Sequence, residues 1–552
     1  MADPRPRTVE FRGRPLALPA GATLLAGLAE RGLPQFQRSV RYHRPRAPFC
    51  GVGHCSQCLV RVNGVPNVRA CRYEPAPGDR ITTENAWPSP RWDLLGALDL
   101  VFGRGLDSLH GFRRPVWAMP LYHRVIRRLA GYGAPPTADP APIAPPREIR
   151  TDAIVVGAGP AGRAAAARIR AAGRATLLVD RSPVTAPPAD VGLLAGVTAA
   201  FLPPPGRDGE FRLAATRGRE GMILRAPRVL LAPGGYDANL LFPGNDRPGV
   251  MTAEGAMALR DRRGNPPFRR ALLVGGGARA MEMVDRFGAH VEAVVAPTQV
   301  HGTIAERAAE LDIPVFPRTL LTGAYGRSRV RSALLRRRGG GETTRLSVDA
   351  IVLAHRRLPH VPLFFQVGAR MEWRGSTGAY YPVLDDALAT SVPGLFTAGE
   401  SAGFVAPASA EASGIAAAEA LLDRPARLAD LPPRTAGEGP HELEGYYREL
   451  LAGRTGRGKL VACACEDVLL GEIDAAHRAG YRGIEVIKRY TSLGTGLCQG
   501  RYCVPDALLL LAQLEGRPPS EVGFITQRPP VLPTPLDAWA SLPDEADPEA
   551  GP

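Results

Sequence analysis

The sequence predicts a multidomain chain with α+β and α/β parts. A small β-rich domain surrounds a cysteine loop, a core carries two dinucleotide-type folds, and a small helical domain holds further cysteines. Three observations lead there. All eight cysteines fall into two groups of four, with none between residues 72 and 462. Two strand–glycine–helix–strand segments, 152–180 and 270–296, lie between the groups. With 552 residues, 45% of them hydrophobic, the chain is long enough for several packed cores.

Composition narrows the class further. The 62 glycines and 55 prolines are scattered without a G-X-Y period, which excludes collagen and implies many turns. No apolar run approaches the length of a membrane-spanning helix. The start, MADPRPRTVEFRGRP, has no apolar segment of the secretory kind, so a cytoplasmic location is expected. The formal charge is +14, and Lys459 and Lys488 are the only lysines, so arginine carries nearly all the positive charge. The arginines are spread along the whole chain with no nucleic-acid motif beside them. That pattern reads as a coding bias, and neither nucleic acid nor a membrane span is expected.

The first cysteine group is Cys50-x4-Cys55-x2-Cys58 followed by Cys71. In a cytosolic chain such grouping favours metal or cofactor ligation over disulfides. The spacing is that of plant-type [2Fe–2S] ferredoxins. In FCGVGHCSQC the glycines let three thiolates and several N–H groups turn inward on one cluster, and Cys71 arrives after the expected strands LVRVNG and NVRAC. A zinc ribbon would instead pair its ligands as two close dyads. A ferredoxin-like β-grasp domain is therefore expected over 1–95. His54 lies inside the loop, and with four cysteines at hand it is read as a neighbour of the cluster or a surface residue.

The second group, Cys463-x-Cys465 and Cys498-x4-Cys503, admits zinc by ligand count alone. The stretch from ACACEDVLLGEIDAAHRAG to TGLCQGRYC resembles the bacterioferritin-associated-ferredoxin type of [2Fe–2S] domain. That resemblance implies that Cys463, Cys465, Cys498 and Cys503 hold a second cluster in a small helical domain near 455–515.

The segment DAIVVGAGPAGRAAAARIRAAGRATLLVD is a strand, a glycine turn, a helix and a second strand ending in Asp180. Gly157, Gly159 and Gly162 stand at the G-x-G-x-x-G positions. The first allows a tight turn, the second lets a pyrophosphate approach the backbone, and the third lets helix and strand pack closely. The helix start offers free N–H groups to phosphates, and Asp180 is spaced to accept ribose hydroxyls. A second unit, RALLVGGGARAMEMVDRFGAHVEAVVA, has Gly275, Gly277 and Ala280 at the motif positions. Its second strand runs into AVVAPTQ with no acid for a ribose, so nucleotide binding by this inner unit, 268–355, is left open.

Two later segments suit a flavoprotein of the two-dinucleotide-domain type: RVLLAPGGYD, a strand running into a glycine turn, and VPGLFTAGESAG. The latter is similar to the T-x-x-G-D strand whose acid contacts the ribityl phosphate region of FAD, which gives Gly399 and Glu400 a cofactor-binding role. Glu400 replaces the usual aspartate, Arg163 follows GAGPAG where an apolar residue is usual, and SPVTAPPADVGLL is short. FAD is the expected occupant of the first site, with NAD or ATP as alternatives.

Longer strings resemble the large (alpha) chain of heterotetrameric sarcosine oxidase and its relatives, the opine, hydroxyproline and proline dehydrogenases and hydrogen cyanide synthase. They are SVRYHRPRAPFCGVGHC, PNVRA, NAWPSPRWD, LLFPGNDRPGVMTAEGA, KRYTSLGTG and the late RPPVLP. Sarcosine oxidase alpha chains carry a large C-terminal folate-binding domain, which is not expected here, and tend to have lost cluster cysteines that this sequence keeps. The resemblance implies an oxidoreductase acting on CH–NH groups as one subunit of a heteromer. A separate FAD-containing beta subunit would oxidise the amine, with FMN at the interface. Electrons would pass through flavin and two [2Fe–2S] clusters to a quinone, cytochrome or ferredoxin.

The expected organisation continues with a helical connector and proline-rich linker over 96–148, the flavoprotein core over 149–425, and an acidic tail within 516–552. Trp117 and Tyr122 of the connector are read as core or interface packing, and His355, His360 and His477 as structural. No catalytic residue is identified, and no hydrolase motif is present. Two other functions compete: a stand-alone NAD(P)H-dependent flavin iron–sulfur reductase, and a non-catalytic iron–sulfur partner protein. A disulfide reductase is excluded because no cysteine lies near the flavin segments.

Overall fold

The computed structural model describes residues 6–33, 35–101, 117, 144–184, 186–202, 209–434, 440–452 and 459–542. The chain divides into two units. One holds the N-terminal region, Asp237–Arg357 and Glu438–Ile525; the other holds Pro140–Tyr236, Leu358–Gly437 and the segment from Thr526 on. Tyr122, most of the 135–148 linker and the acidic end lie outside the described residues.

In the first unit, a five-stranded mixed sheet runs in the order Arg14–Leu18, Arg7–Phe11, Arg80–Thr82, Leu59–Val62, Val65–Arg69. Only the Arg7–Phe11 and Arg80–Thr82 pair is parallel, the β-grasp arrangement expected from the sequence. Helix Leu24–Glu30, capped by Thr23, packs its leucines against Val9, Val60, Val62 and Ile81. The cysteine loop leaves this sheet ahead of Leu59, and Cys71 follows the return strand, so one hairpin brings the distant fourth cysteine back to the loop.

The same unit contains a five-stranded parallel sheet in the order Val250–Thr252, Ala350–Leu353, Ala271–Val274, Val291–Val295, Val315–Phe316. Its strands Ala271–Val274 and Ala350–Leu353 are fully buried apolar runs, and helices Ala253–Arg263, Ala278–Phe287 and Gly302–Glu310 pack on one face of the sheet. Its C-terminal segment starts with the short hairpin Val461–Cys463 and Val468–Leu469. Helices Leu470–Arg478, Ile484–Thr491 and Val504–Glu515 follow, the last apolar nearly all round and buried accordingly.

The second unit is built on another five-stranded parallel sheet, ordered Gly192–Ala195, Thr176–Asp180, Ala153–Val156, Arg228–Leu231, Leu395–Thr397. Helices Pro160–Ala171 and Pro407–Leu421 pack on it through alanines, which let the backbones approach closely. A four-stranded sheet, Thr198–Phe201, Phe211–Arg217, Glu220–Ala226 and Arg147–Arg150, completes this unit. Trp117 is 81% exposed, which leaves interface packing as the open half of its expected role. No helix among the described residues is long and apolar enough to cross a membrane.

Candidate functional site

All eight cysteines are buried, and none is in a disulfide. In the first loop, Cys50 Sγ accepts the backbone N–H groups of His54 and Cys55, each at 3.3 Å. The Cys50 thiol lies within hydrogen-bonding reach of Cys55 and Cys71, and Cys71 in turn reaches Cys58. Burial resists ionisation of Cys50, but those two sulfurs and the N–H groups of Val52 and Cys55 hold its thiol well below the ordinary cysteine range. His54, within the loop, is buried, with Nδ1 3.9 Å from Glu254, so it is a neighbour of the cysteines and not a surface residue.

The loop fits because two glycines meet. A side chain on Gly255 would collide with the Phe49 carbonyl, and one on Gly51 would lie 3.1 Å from the Gly255 backbone. Helix Ala253–Arg263 therefore lies against the loop, and Arg262 donates to the carbonyls of Gly51 at 3.2 Å and Cys71 at 2.9 Å. The sequence offered no cue for this support, because Arg262 sits in an arginine run indistinguishable from others.

The C-terminal cysteines form a closed ring of contacts: Cys463 with Cys465, Cys465 with Cys498, Cys498 with Cys503, and Cys503 with Cys463. All four line one cavity, together with Cys55, Phe49, Gln57, Asn245 and Tyr502. Contacts from Cys465 and Cys503 hold the Cys498 thiol well below its usual range, while Cys463 is pushed up to about 11 and Cys465 to about 12. Asn245 Nδ2 donates to the Val461 carbonyl at 2.9 Å and fixes the strand that carries Cys463.

Buried thiols outside any disulfide, arranged in fours, are a donor set for a thiolate-bound cluster, whose binding displaces the thiol protons. Among the described residues, no three His, Cys, Asp or Glu side chains are grouped as ligands of a single metal ion. A binuclear cluster shares four thiolates between two irons and makes no such demand.

In the second unit, the strand Ala153–Val156 ends in Gly157, whose φ is +107°. A side chain on Gly162 would collide with the Gly157 carbonyl, which is why helix and turn pack so closely there. Nothing lies within 4 Å of the position a Gly159 Cβ would occupy, so the turn is open where a pyrophosphate would approach. Asp180 Oδ2 accepts the Ala158 N–H and Oδ1 the Ser182 N–H, both at 2.7 Å, so this carboxylate also braces the turn.

Gly399 donates its N–H to Ser413 Oγ at 2.9 Å and stands against Ala161, in the first turn of helix Pro160–Ala171. Glu400 Oε2 lies beside Gly234 and Gly235, at the end of the strand Arg228–Leu231. The structure thus brings Gly157, Gly159, Gly162, Asp180, Gly399 and Glu400 together at the carboxyl ends of neighbouring parallel strands, the crevice where such sheets bind ligands. Ser413 had no signal in the sequence. Within this unit, the His360 ring lies tilted against Tyr236, with ring centroids 5.0 Å apart.

The inner motif lies in the first unit. Gly277 caps helix Ala278–Phe287, and Gly275 follows the strand Ala271–Val274. The loop after Val291–Val295 folds back so that the His301 N–H donates to the Gly276 carbonyl at 3.0 Å. Arg279, in the first turn of the helix, is engaged by Asp237 at 2.9 Å and Glu282 at 2.6 Å.

Residues 5–86 match the family described as 2Fe-2S iron-sulfur cluster binding domain. Residues 193–419 match pyridine nucleotide-disulphide oxidoreductase, and 458–542 the sarcosine oxidase A3 domain. The chain is 29% identical to the alpha chain of sarcosine oxidase from Rhizobium meliloti (strain 1021), over 95% of this chain and 56% of that one. It is 28% identical to an opine oxidase subunit of the same organism, over 71% of this chain and 98% of the relative. It therefore spans little more than half of the first relative's length. The crystal structure of L-proline dehydrogenase from P. horikoshii shares the fold, with a TM-score of 0.69, 19% identity and 96% of each chain covered.

Proposed function

We propose that this chain, a homologue of sarcosine oxidase alpha chains and of opine oxidase subunits, is the electron-transferring subunit of a heteromeric flavin-dependent amine or imino-acid dehydrogenase. The observation that carries the reading is the pair of buried four-cysteine groups, one of them matching a known cluster-binding family. When bound, a flavin takes two electrons and releases them singly, and [2Fe–2S] centres accept them one at a time. Cys50, Cys55, Cys58 and Cys71 would hold one centre, and Cys463, Cys465, Cys498 and Cys503 the other.

The chain's own residues prepare those sites. N–H groups of His54 and Cys55 point at the Cys50 sulfur, where they favour added negative charge. All eight thiols are buried, which limits their reaction with solvent oxidants. The glycine turn at Gly157–Gly162, with Gly399 and Glu400 opposite, would hold the dinucleotide, with FAD as the proposed occupant and NAD or ATP the alternatives. No residue of this chain is assigned to amine oxidation, which the reading places on a partner subunit carrying its own FAD. FMN would lie at the interface of the two.

The deciding experiment is purification of the tagged chain from its native host, with mass spectrometry of partners and a count of flavin, iron and sulfide. A smaller flavoprotein in fixed ratio, with iron and sulfide for two binuclear centres per chain, is expected. A lone chain reduced directly by NADH would replace this reading with the reductase. Flavin-free, iron-containing protein without redox partners would leave only the non-catalytic alternative.

A further inference from the structure

The two cysteine groups lie more than 390 residues apart in sequence but side by side in the first unit. Cys55, a member of the first, lines the cavity formed by all four cysteines of the second. Ser56, 5% exposed, has its hydroxyl within hydrogen-bonding reach of the Cys465 sulfur. Its neighbour Gln57 donates from Nε2 to the Ala464 carbonyl at 3.4 Å. Arg69 spans the gap, with Nε donating to the Cys55 carbonyl at 3.2 Å and an outer guanidinium nitrogen to the Leu497 carbonyl at 3.1 Å. Phe49 and Tyr502, each preceding a cysteine of its own loop, meet edge to face at 5.1 Å.

We propose that Ser56, Gln57 and Arg69 join the two four-cysteine sites into one relay, with Ser56 as the donor that sets the potential of the C-terminal centre and Arg69 fixing its separation from the N-terminal one. The proposal rests on reading both groups as [2Fe–2S] ligands. The step it serves is a one-electron exchange: one centre loses the electron the other gains, and no covalent bond forms or breaks. A hydroxyl donating to a ligand sulfur stabilises the reduced, more negative state, and hydrogen bonds to sulfur are among the determinants of cluster potential. Ser56 is a positioning residue in this scheme. It acts through Cys465 and touches no substrate.

The test uses the full chain, with iron and sulfide counted, titrated with dithionite and mediators under electron paramagnetic resonance. The signal of the centre reduced first should broaden or split as the second becomes reduced, because neighbouring paramagnets couple. Ser56→Ala should shift the potential of the C-terminal centre downward and leave the N-terminal one in place. Ser56→Thr, which keeps the hydroxyl, should restore the original value. Independent, unsplit signals at full reduction would overturn the adjacency, and a Ser56→Ala titration identical to wild type would overturn the role of Ser56. A protein with iron and sulfide for fewer than two centres would instead sink the ligand reading on which both depend.

Discussion

Arg356 donates to Asp506 Oδ1 at 3.2 Å, and the two side chains are each only 2% exposed. Tyr447 adds a hydroxyl hydrogen bond to the same oxygen at 2.9 Å. The pair ties the end of the inner parallel sheet to the helix that begins just after Cys503, so the wall of the C-terminal cavity is anchored by a buried ion pair. Burial raises the Asp506 carboxyl to about 6, against the opposing pull of Arg356 and Tyr447. Arg356→Met strands the carboxylate and should cost about 3 to 5 kcal/mol, the range for removing one partner of a buried pair. Chemical denaturation of the purified chain checks it, and a loss below about 1 kcal/mol would show that Asp506 is held by other means.

His355, next to Arg356, is buried, and its imidazole is pushed down to about 3 by that burial first and the Arg356 charge second. A folded-state value below the unfolded one means the neutral ring favours folding above the unfolded pKa, and that stability is lost as pH falls through the window from 6.5 towards 3. The slope is about 1.4 kcal/mol per pH unit inside the window. Asp506 runs the opposite way: its raised value favours folding most below 3.8 and loses that contribution as pH rises through about 6. His355→Leu should therefore lose less thermal stability than wild type between about pH 7.5 and about pH 5.5. Equal losses in the two proteins would show that His355 does not titrate as its burial demands.

Gly159 and Gly162 make a matched pair of tests for the dinucleotide turn. Gly162→Ala drives a methyl into the Gly157 carbonyl and should destabilise the fold itself, beyond the usual range of about 1–3 kcal/mol for overpacking. Gly159→Ala meets no protein atom, so the melting temperature of the unloaded chain should hold while bound nucleotide or flavin falls. Cofactor content after desalting reads the difference. Full retention by Gly159→Ala would place the pyrophosphate elsewhere.

Gly255→Ala should act on the first cysteine loop from outside, since its methyl collides with Phe49 one residue before Cys50. The expected result is loss of the N-terminal paramagnetic signal with the C-terminal signal kept, the same pattern as Cys55→Ser. Cys498→Ser should show the reverse. Either cysteine variant retaining both signals would break the ligand assignment.

NADH should leave the clusters oxidised. The inner glycine turn bonds its own returning loop at His301, Arg279 is held by Asp237 and Glu282, and no acid ends the second strand. Anaerobic addition of NADH with visible absorbance as readout tests this, and prompt bleaching would make the inner unit a working nicotinamide site.

By itself the sequence determined which residues belong together within each motif. The C-x4-C-x2-C loop, the C-x-C and C-x4-C pairs, and the glycines at 157, 159 and 162 are local patterns, because ligand geometry and backbone clearance demand fixed spacings over a few residues. The β-grasp sheet and both parallel sheets were legible for the same reason, through short apolar strands punctuated by turns. What only the tertiary structure decided are the contacts between motifs: Ser56 on Cys465, Gly255 under Phe49, Arg262 on Gly51 and Cys71, Arg356 on Asp506. Each joins residues of unremarkable type across long stretches of chain. A serine, a glycine or one arginine among many carries no spacing to announce its partner, and only packing, which fixes where backbones approach and which charges lose their water, selects it.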